Sequence, residues 1–235
     1  MKKVEESKQI AGGVEYTLRR AAVKLTSIRI RDGRVFVQAS LQTPLAVIDA
    51  FVIKKRTWIL TKCKEFFTKC DRFKDVFAYR TLLVDGVCYP ITVEGAKRKL
   101  DFFEGRFILS QGAAESYVKT TNAIMRWYLN RAEAQLFDRA KRLARTLGLS
   151  IGALTLTNAR GKWGSCDAKN SIRLNWRLMF LVQNVQDYVI IHELCHTQYH
   201  NHSRNFWDLV ASLCPDYKSA RRQLRECSVL IELYR

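Results

Sequence analysis

Residues 192–202 read HELCHTQYHNH and hold all four histidines of the chain. His192-Glu193-Leu194-Cys195-His196 is an HExxH pattern, and on a helix that spacing has a chemical meaning. Residues four apart differ by about 40° in azimuth and about 6 Å in height, so both imidazoles share one face. They can converge on one ion at the zinc–nitrogen distance of roughly 2.0–2.1 Å. Glu193 lies about 100° further round, beside the ion, where a carboxylate can take the proton of a metal-activated water.

A catalytic zinc takes three protein ligands and keeps one position open, so a third donor is required. His200 and His202 compete for that place. On an uninterrupted helix His200 would lie about 6 Å beyond His196, which spreads three donors along the axis. His202 is six residues beyond His196, far enough for the helix to end and the chain to fold back. Asn201 tolerates the left-handed conformation used at helix ends, and Ser203 can cap the helix that follows. The expected set is one zinc per chain on His192, His196 and His202, with Glu193 as general base. Cys195 lies inside the motif and reads as a packed thiol. Asp208 could accept a hydrogen bond from a ligand imidazole, although an exposed helical Asp is the plainer reading.

These residues must be placed by the elements around them. Helical patterning runs from about Ala113 to Leu147, with Gly148 as a stop. LTLTNARGKWGSCDAKNSIRLNW reads as two strands, about 154–162 and 171–176, joined by a turn-rich connection. A helix from about Val185, with Asn184 as cap and Asp187 favourably near its positive end, then carries the HExxH. Two further helices are expected after Ser203 and after Pro215. In the first hundred residues, three hairpins are expected at Asp32-Gly33, Asp85-Gly86 and Glu104-Gly105, where Gly admits the positive φ of a tight turn. A helical segment starting near Thr43-Pro44 separates the first two. No internal repeat stands out. The reading is an α+β chain: a basic, β-hairpin-rich region over 1–112, packed with a helix–hairpin–active-site-helix core over 113–235.

HExxHxxxxxH followed by SRNFW resembles the YgjP-like metallopeptidase family, relatives of the SprT-like and WLM-type zincins. RGKWGSC (160–166), IRLNWRL (172–178) and DYVIIHELCH (187–196) extend the resemblance, which is strong over roughly 120–225 and looser before that. It implies a zincin-like core, zinc on His192, His196 and His202, Glu193 as general base, and a hairpin edge strand along the cleft. The metzincins share the histidine spacing but carry a glycine where Tyr199 stands here, and no Met-turn follows.

Composition bounds the rest. The chain has 235 residues, enough for a sizeable core, and no apolar run approaches the ~18–20 residues of a membrane span. MKKVEESKQI puts glutamates where a signal peptide needs apolar residues. Seven cysteines without a CxxC pair read as free thiols, consistent with a reducing cytoplasm. The net charge of +18 is spread over both halves, with basic runs IKKR (53–56), AKRK (96–99) and RAKRLAR (139–145). They could contact nucleic acid or another polyanion, or serve only as solvated faces.

The leading function is therefore hydrolysis of peptide bonds in a peptide or protein substrate. A zinc hydrolase of non-peptide amides is the alternative within the class. A nucleic-acid-associated binding protein with a structural or inactive zinc site is the alternative outside it. Retention of Glu193 favours an enzyme, because a structural site needs no base.

Overall fold

A computed structural model describes residues 5–95 and 98–232, in two compact units, Met1–Phe73 and Lys74–Arg235. The architecture is α+β, with eight α-helices and three small sheets among the described residues. The division after Phe73 leaves the second and third expected hairpins with the C-terminal unit.

The first unit comprises β1 (Glu5–Ala11), β2 (Val14–Ala21), β3 (Ser27–Arg31), β4 (Arg34–Ser40), α1 (Leu45–Lys54) and α2 (Arg56–Arg72). Its sheet order is β1-β2-β4-β3, with β2 and β4 parallel. Alternate residues Tyr16, Leu18, Val35, Val37 and Ala39 point inward and form one cluster with Ile48, Val52 and Ile59 of the helices. The Tyr16 hydroxyl donates to Asp49 across that cluster, 2.6 Å away. The segment after Pro44 is helical as expected, but it breaks at Lys55, and no side chain caps α1. Arg20 instead donates to the carbonyls of Ser40, Leu41 and Thr43 just before it.

The second unit opens with α3 (Lys74–Phe77), then β5 (Thr81–Val84), β6 (Val87–Glu94), β7 (Leu100–Phe103) and β8 (Arg106–Ser110). Its order, β5-β6-β8-β7 with β6 and β8 parallel, repeats the topology of the first sheet. The two halves share no evident sequence repeat, because backbone pairing asks only for alternation and turns. Each expected hairpin is present, with positive φ at both turn residues: 54° and 69° at Asp32-Gly33, 50° and 84° at Asp85-Gly86, 48° and 75° at Glu104-Gly105.

After α4 (Gln111–Ala114), α5 (Tyr117–Leu147) runs for 31 residues, capped by Ser116 and stopped by Gly148 at φ 66°. Ile124, Tyr128, Ala132, Leu136, Ala140 and Ala144, each four residues after the last, form its buried stripe. Tyr128 packs on Trp176 and Phe180, and its hydroxyl donates to the Leu83 carbonyl at 2.9 Å. Tyr128→Phe should therefore lower stability by about 1–3 kcal/mol, since a buried carbonyl loses its donor while packing is kept. Denaturant midpoints at unchanged slope would measure this. No loss would mean the bond contributes nothing.

The remaining elements are β9 (Leu154–Thr157), β10 (Gly164–Cys166), β11 (Ile172–Asn175), a 3-10 turn over Trp176–Phe180, α6 (Gln183–Cys195), α7 (Arg204–Leu213), α8 (Tyr217–Glu226) and a closing 3-10 turn. The third sheet has the order β10-β11-β9. This corrects the expected long strand over 154–162. That strand ends at Thr157 and pairs with β11 in parallel, while the antiparallel partner of β11 is β10. The cause lies in Asn175, whose side-chain amide donates to the carbonyls of Ala159 and Lys162 at 2.8 and 2.9 Å. These bonds pull residues 158–163 out of the sheet into a held loop.

No helix among the described residues is long and apolar enough to cross a membrane.

Candidate metal centre

α6 carries His192, Glu193 and Cys195, and His196 is its C-cap. The helix begins two residues before the expected start, at Gln183, and Asn184 does not cap it. Asp187 serves as an anchor: its carboxylate takes both Nε and Nη2 of Arg139 on α5, the latter at 3.0 Å. The start of α6 is held a second time by the β5–β6 turn. The backbone amides of Asp85 and Gly86 donate to Met179 and Phe180, and Gln186 donates to the Asp85 carboxylate at 2.8 Å. A helix pinned on two sides gives its histidines a fixed direction.

The chain then turns back without left-handed Asn201, which does not have positive φ. Tighter i→i+3 bonds end the helix instead, from Thr197 to Leu194 and from Gln198 to Cys195, reinforced by the Thr197 hydroxyl on the Leu194 carbonyl. Asn201 accepts from the Ser203 amide, and Ser203 caps α7 by accepting from Phe206. This reversal brings His202 back to α6.

His192, His196 and His202 each present a ring nitrogen, all within 4.8 Å of one another. Among the described residues they are the one group of three or more His, Cys, Asp or Glu placed to hold a metal. Nε2 of His202 lies 3.1 Å from Nε2 of His192. A tetrahedral ion at roughly 2.0–2.1 Å from each donor needs nitrogens about 3.3 Å apart, a spacing that the His192–His202 pair matches. The exposed His200 stands outside the group, and Cys195 is buried and free.

Aromatic rings fix the imidazoles. Phe206 stacks on His196 at 4.4 Å between centroids, and Trp207 stacks on His202 at 5.6 Å. Tyr217 and the Arg221 guanidinium then cover Trp207. This explains the SRNFW segment: one cap followed by two wedges. The Nδ1 of His196 is 2.9 Å from the Tyr199 carbonyl, which selects the tautomer with its proton on Nδ1 and leaves the Nε2 lone pair free. The partner is thus a backbone carbonyl and not Asp208, which is exposed and paired with Arg204. The buried Nδ1 of His192 has no protein partner among the described residues. Burial, and then the neighbouring imidazoles, push His192 down to about 3, and burial also lowers His196. Both offer neutral imidazoles, the form that binds metal.

Glu193 is 6 % exposed, and burial lifts its carboxyl to about 7 against an opposing pull from Lys162. With His192 it lines a small cavity of about 160 Å³ bounded by Trp163, Gly164, Tyr188, Val189 and Leu224. Gly164 is the residue the sequence did not single out. A Cβ there would stand 2.7 Å from both Cγ and Oε1 of Glu193, closer than real atoms approach. The strand β10 therefore lies directly on the carboxylate only because it presents glycine. The loop before it is held by Asn175, and by Asn158, which accepts from both Trp176 and the buried Arg177. RGKWGSC and LNWRL are in this sense one device that seats Gly164 against Glu193.

Gly164→Ala should consequently displace Glu193 while leaving the histidine cluster intact. Hydrolytic activity, measured on protein of unchanged metal content, should fall by roughly 10²-fold, the scale of an ångström's misplacement at a reacting centre. Full activity in the Ala variant would show that the packing of Gly164 does not position the carboxylate.

Curated proteins and solved structures yield no match to this chain. The family model described as YgjP-like, metallopeptidase domain, matches residues 24–227. That span takes in the histidine cluster, the loop seating Gly164 and most of both units, and the chain belongs to the YgjP-like metallopeptidase family.

Proposed function

We propose that the protein hydrolyses peptide bonds at a single zinc held by His192, His196 and His202, with Glu193 as general base. The observation that carries this reading is the buried, near-neutral carboxylate of Glu193 in the same cavity as His192, which belongs to three converging imidazoles. Bound there, zinc would supply Lewis acidity, making a water nucleophilic near neutral pH and polarising the scissile carbonyl.

The protein's own residues do the rest. Three neutral imidazoles leave the ion's charge largely uncompensated, which keeps it a strong Lewis acid. Glu193 takes the proton of the attacking water and returns it to the leaving amine. Its burial raises the carboxyl above the ordinary carboxylate range, toward the proton affinity that both transfers require. Gly164 holds it in place. The strand β10 is an edge of its sheet, so its free side can pair with an extended peptide by strand addition. The cavity under Trp163, Tyr188 and Leu224 receives a side chain of that peptide.

A structural zinc site has no use for a buried carboxylate at this position, since such a group is costly to desolvate without a task. This favours hydrolysis over the reading as a purely binding protein. Incubating the zinc-loaded chain with a mixed peptide library, and reading new termini by mass spectrometry, tests the proposal. New amine termini are expected from wild type and not from Glu193→Gln, and identical patterns from both would refute it.

A further inference from the structure

The second unit contains a larger cavity that the hydrolytic site does not use. It measures about 920 Å³, near the top of the roughly 300–1,000 Å³ range of ligand sites, and lies between the entrance to β7, the β8–α4 junction and the first turns of α5. Four cations line it, Arg98, Lys99, Lys119 and Arg126, and no carboxylate does. Lys119 and Arg98 have acidic neighbours in Glu115 and Asp101, whereas Lys99 and Arg126 have no ion pair among the described residues. Both are exposed.

The cations are ordered by the fold. Lys119, Asn122, Arg126 and Asn130 recur at three- and four-residue spacing, and so form one polar stripe of α5, apart from its buried stripe. Lys119 and Arg126 are seven residues apart, about 10 Å along the axis. The Lys99 carbonyl accepts from the Ser110 amide at 3.0 Å, which continues the β7–β8 pairing to Lys99. Trp127, half-buried, borders the groove, met edge-on by Phe107 and Tyr128 at 4.8 and 5.2 Å and with the Arg131 guanidinium over its ring at 5.5 Å.

A single inorganic anion would engage only part of such a groove. A row of phosphates suits cations spread over about 10 Å, a base suits the indole, and base edges suit the amides of Asn122 and Asn130. We infer that this groove binds single-stranded nucleic acid. It supplies backbone charge neutralisation and stacking, the two elements of sequence-tolerant strand recognition. Poly-glutamate would satisfy the cations but has no ring to stack on the indole.

The test uses the full chain and a fluorescein-labelled single strand of about 12 nucleotides, within the usual ~4–16 nucleotide range of such sites. Polarisation titrations at rising salt should show binding that weakens steeply with added salt. Lys99→Glu with Arg126→Glu should weaken binding roughly tenfold or more and flatten the salt dependence by about 1.4 in log–log slope, two contacts at about 0.7 each. Lys54→Glu with Lys55→Glu, the same charge change in the other unit, should leave affinity near wild type. Melting temperature and zinc content, unchanged in both variants, exclude misfolding. An abasic strand and poly-glutamate should each bind more weakly than the intact strand. The inference is overturned by no binding at low salt, equal losses in the two variants, or an abasic strand or poly-glutamate binding as tightly.

Discussion

Glu193→Gln is expected to keep its zinc and lose about 10²–10⁴-fold in peptide cleavage, the range over which general acid–base catalysis operates. The substitution preserves shape, so the close fit against Gly164 is retained, and only the capacity to accept a proton is removed. Zinc retention follows because the converging donors are three imidazoles, and Glu193 is not among them. The neutral amide also no longer carries the desolvation cost that lifts the carboxyl to about 7. The variant should therefore be at least as stable as wild type, which separates loss of chemistry from loss of fold. Full zinc with undiminished cleavage would assign the proton to some other group.

The second large effect concerns the third ligand. His202→Ala should reduce zinc affinity by more than the roughly 10–100-fold that follows removal of a hydrogen-bond partner behind a ligand. His200→Ala should leave zinc affinity near wild type. The first expectation rests on the 3.1 Å approach of the His202 and His192 Nε2 atoms, the second on the exposed position of His200 outside the cluster. Competition with a chromogenic chelator measures both. The reverse ranking would mean that the turn after Cys195 rearranges when metal binds, bringing His200 in.

How much of this was legible in the sequence depended on the range of the interaction. The Asp-Gly and Glu-Gly turns, the Ser203 cap and the Gly148 stop are local, and local chemistry settles them. That His202, and not His200, comes back to His192 and His196 follows from the reach of a helix followed by a reversal. The mechanism of that reversal was not legible, because i→i+3 tightening at Thr197 competes closely with a left-handed Asn201 and leaves no signature. A fourth hairpin, β1–β2, turns at Gly12-Gly13, both at positive φ, and its first strand carries little signal. β1 (EESKQIA) is polar and alternates weakly, so its pairing depends on the apolar face of β2. The parallel partnership of β9 and β11, the repeated sheet topology and the contact of Gly164 with Glu193 are all tertiary. A glycine within WGSC looks like a bend until the residue opposite is known.

The anchors of α6 show the same division. Asp187 near a helix start suggests a dipole contact, but a bidentate Arg139 one helix away makes a stronger charge-assisted pair. Cys195 could be read from sequence as a packed thiol inside the motif, and burial pushes it up to about 12, the value of an inert group.

The central claim, that peptide hydrolysis depends on metal held by this histidine cluster, is tested most directly by cleavage across a cycle of chelation and reloading. Wild-type protein that cleaves a library peptide should lose that activity when stripped of metal, and regain it on addition of one equivalent of zinc per chain. Cleavage that persists unchanged in the metal-free protein, or a fully zinc-loaded protein that cleaves no peptide, would contradict it.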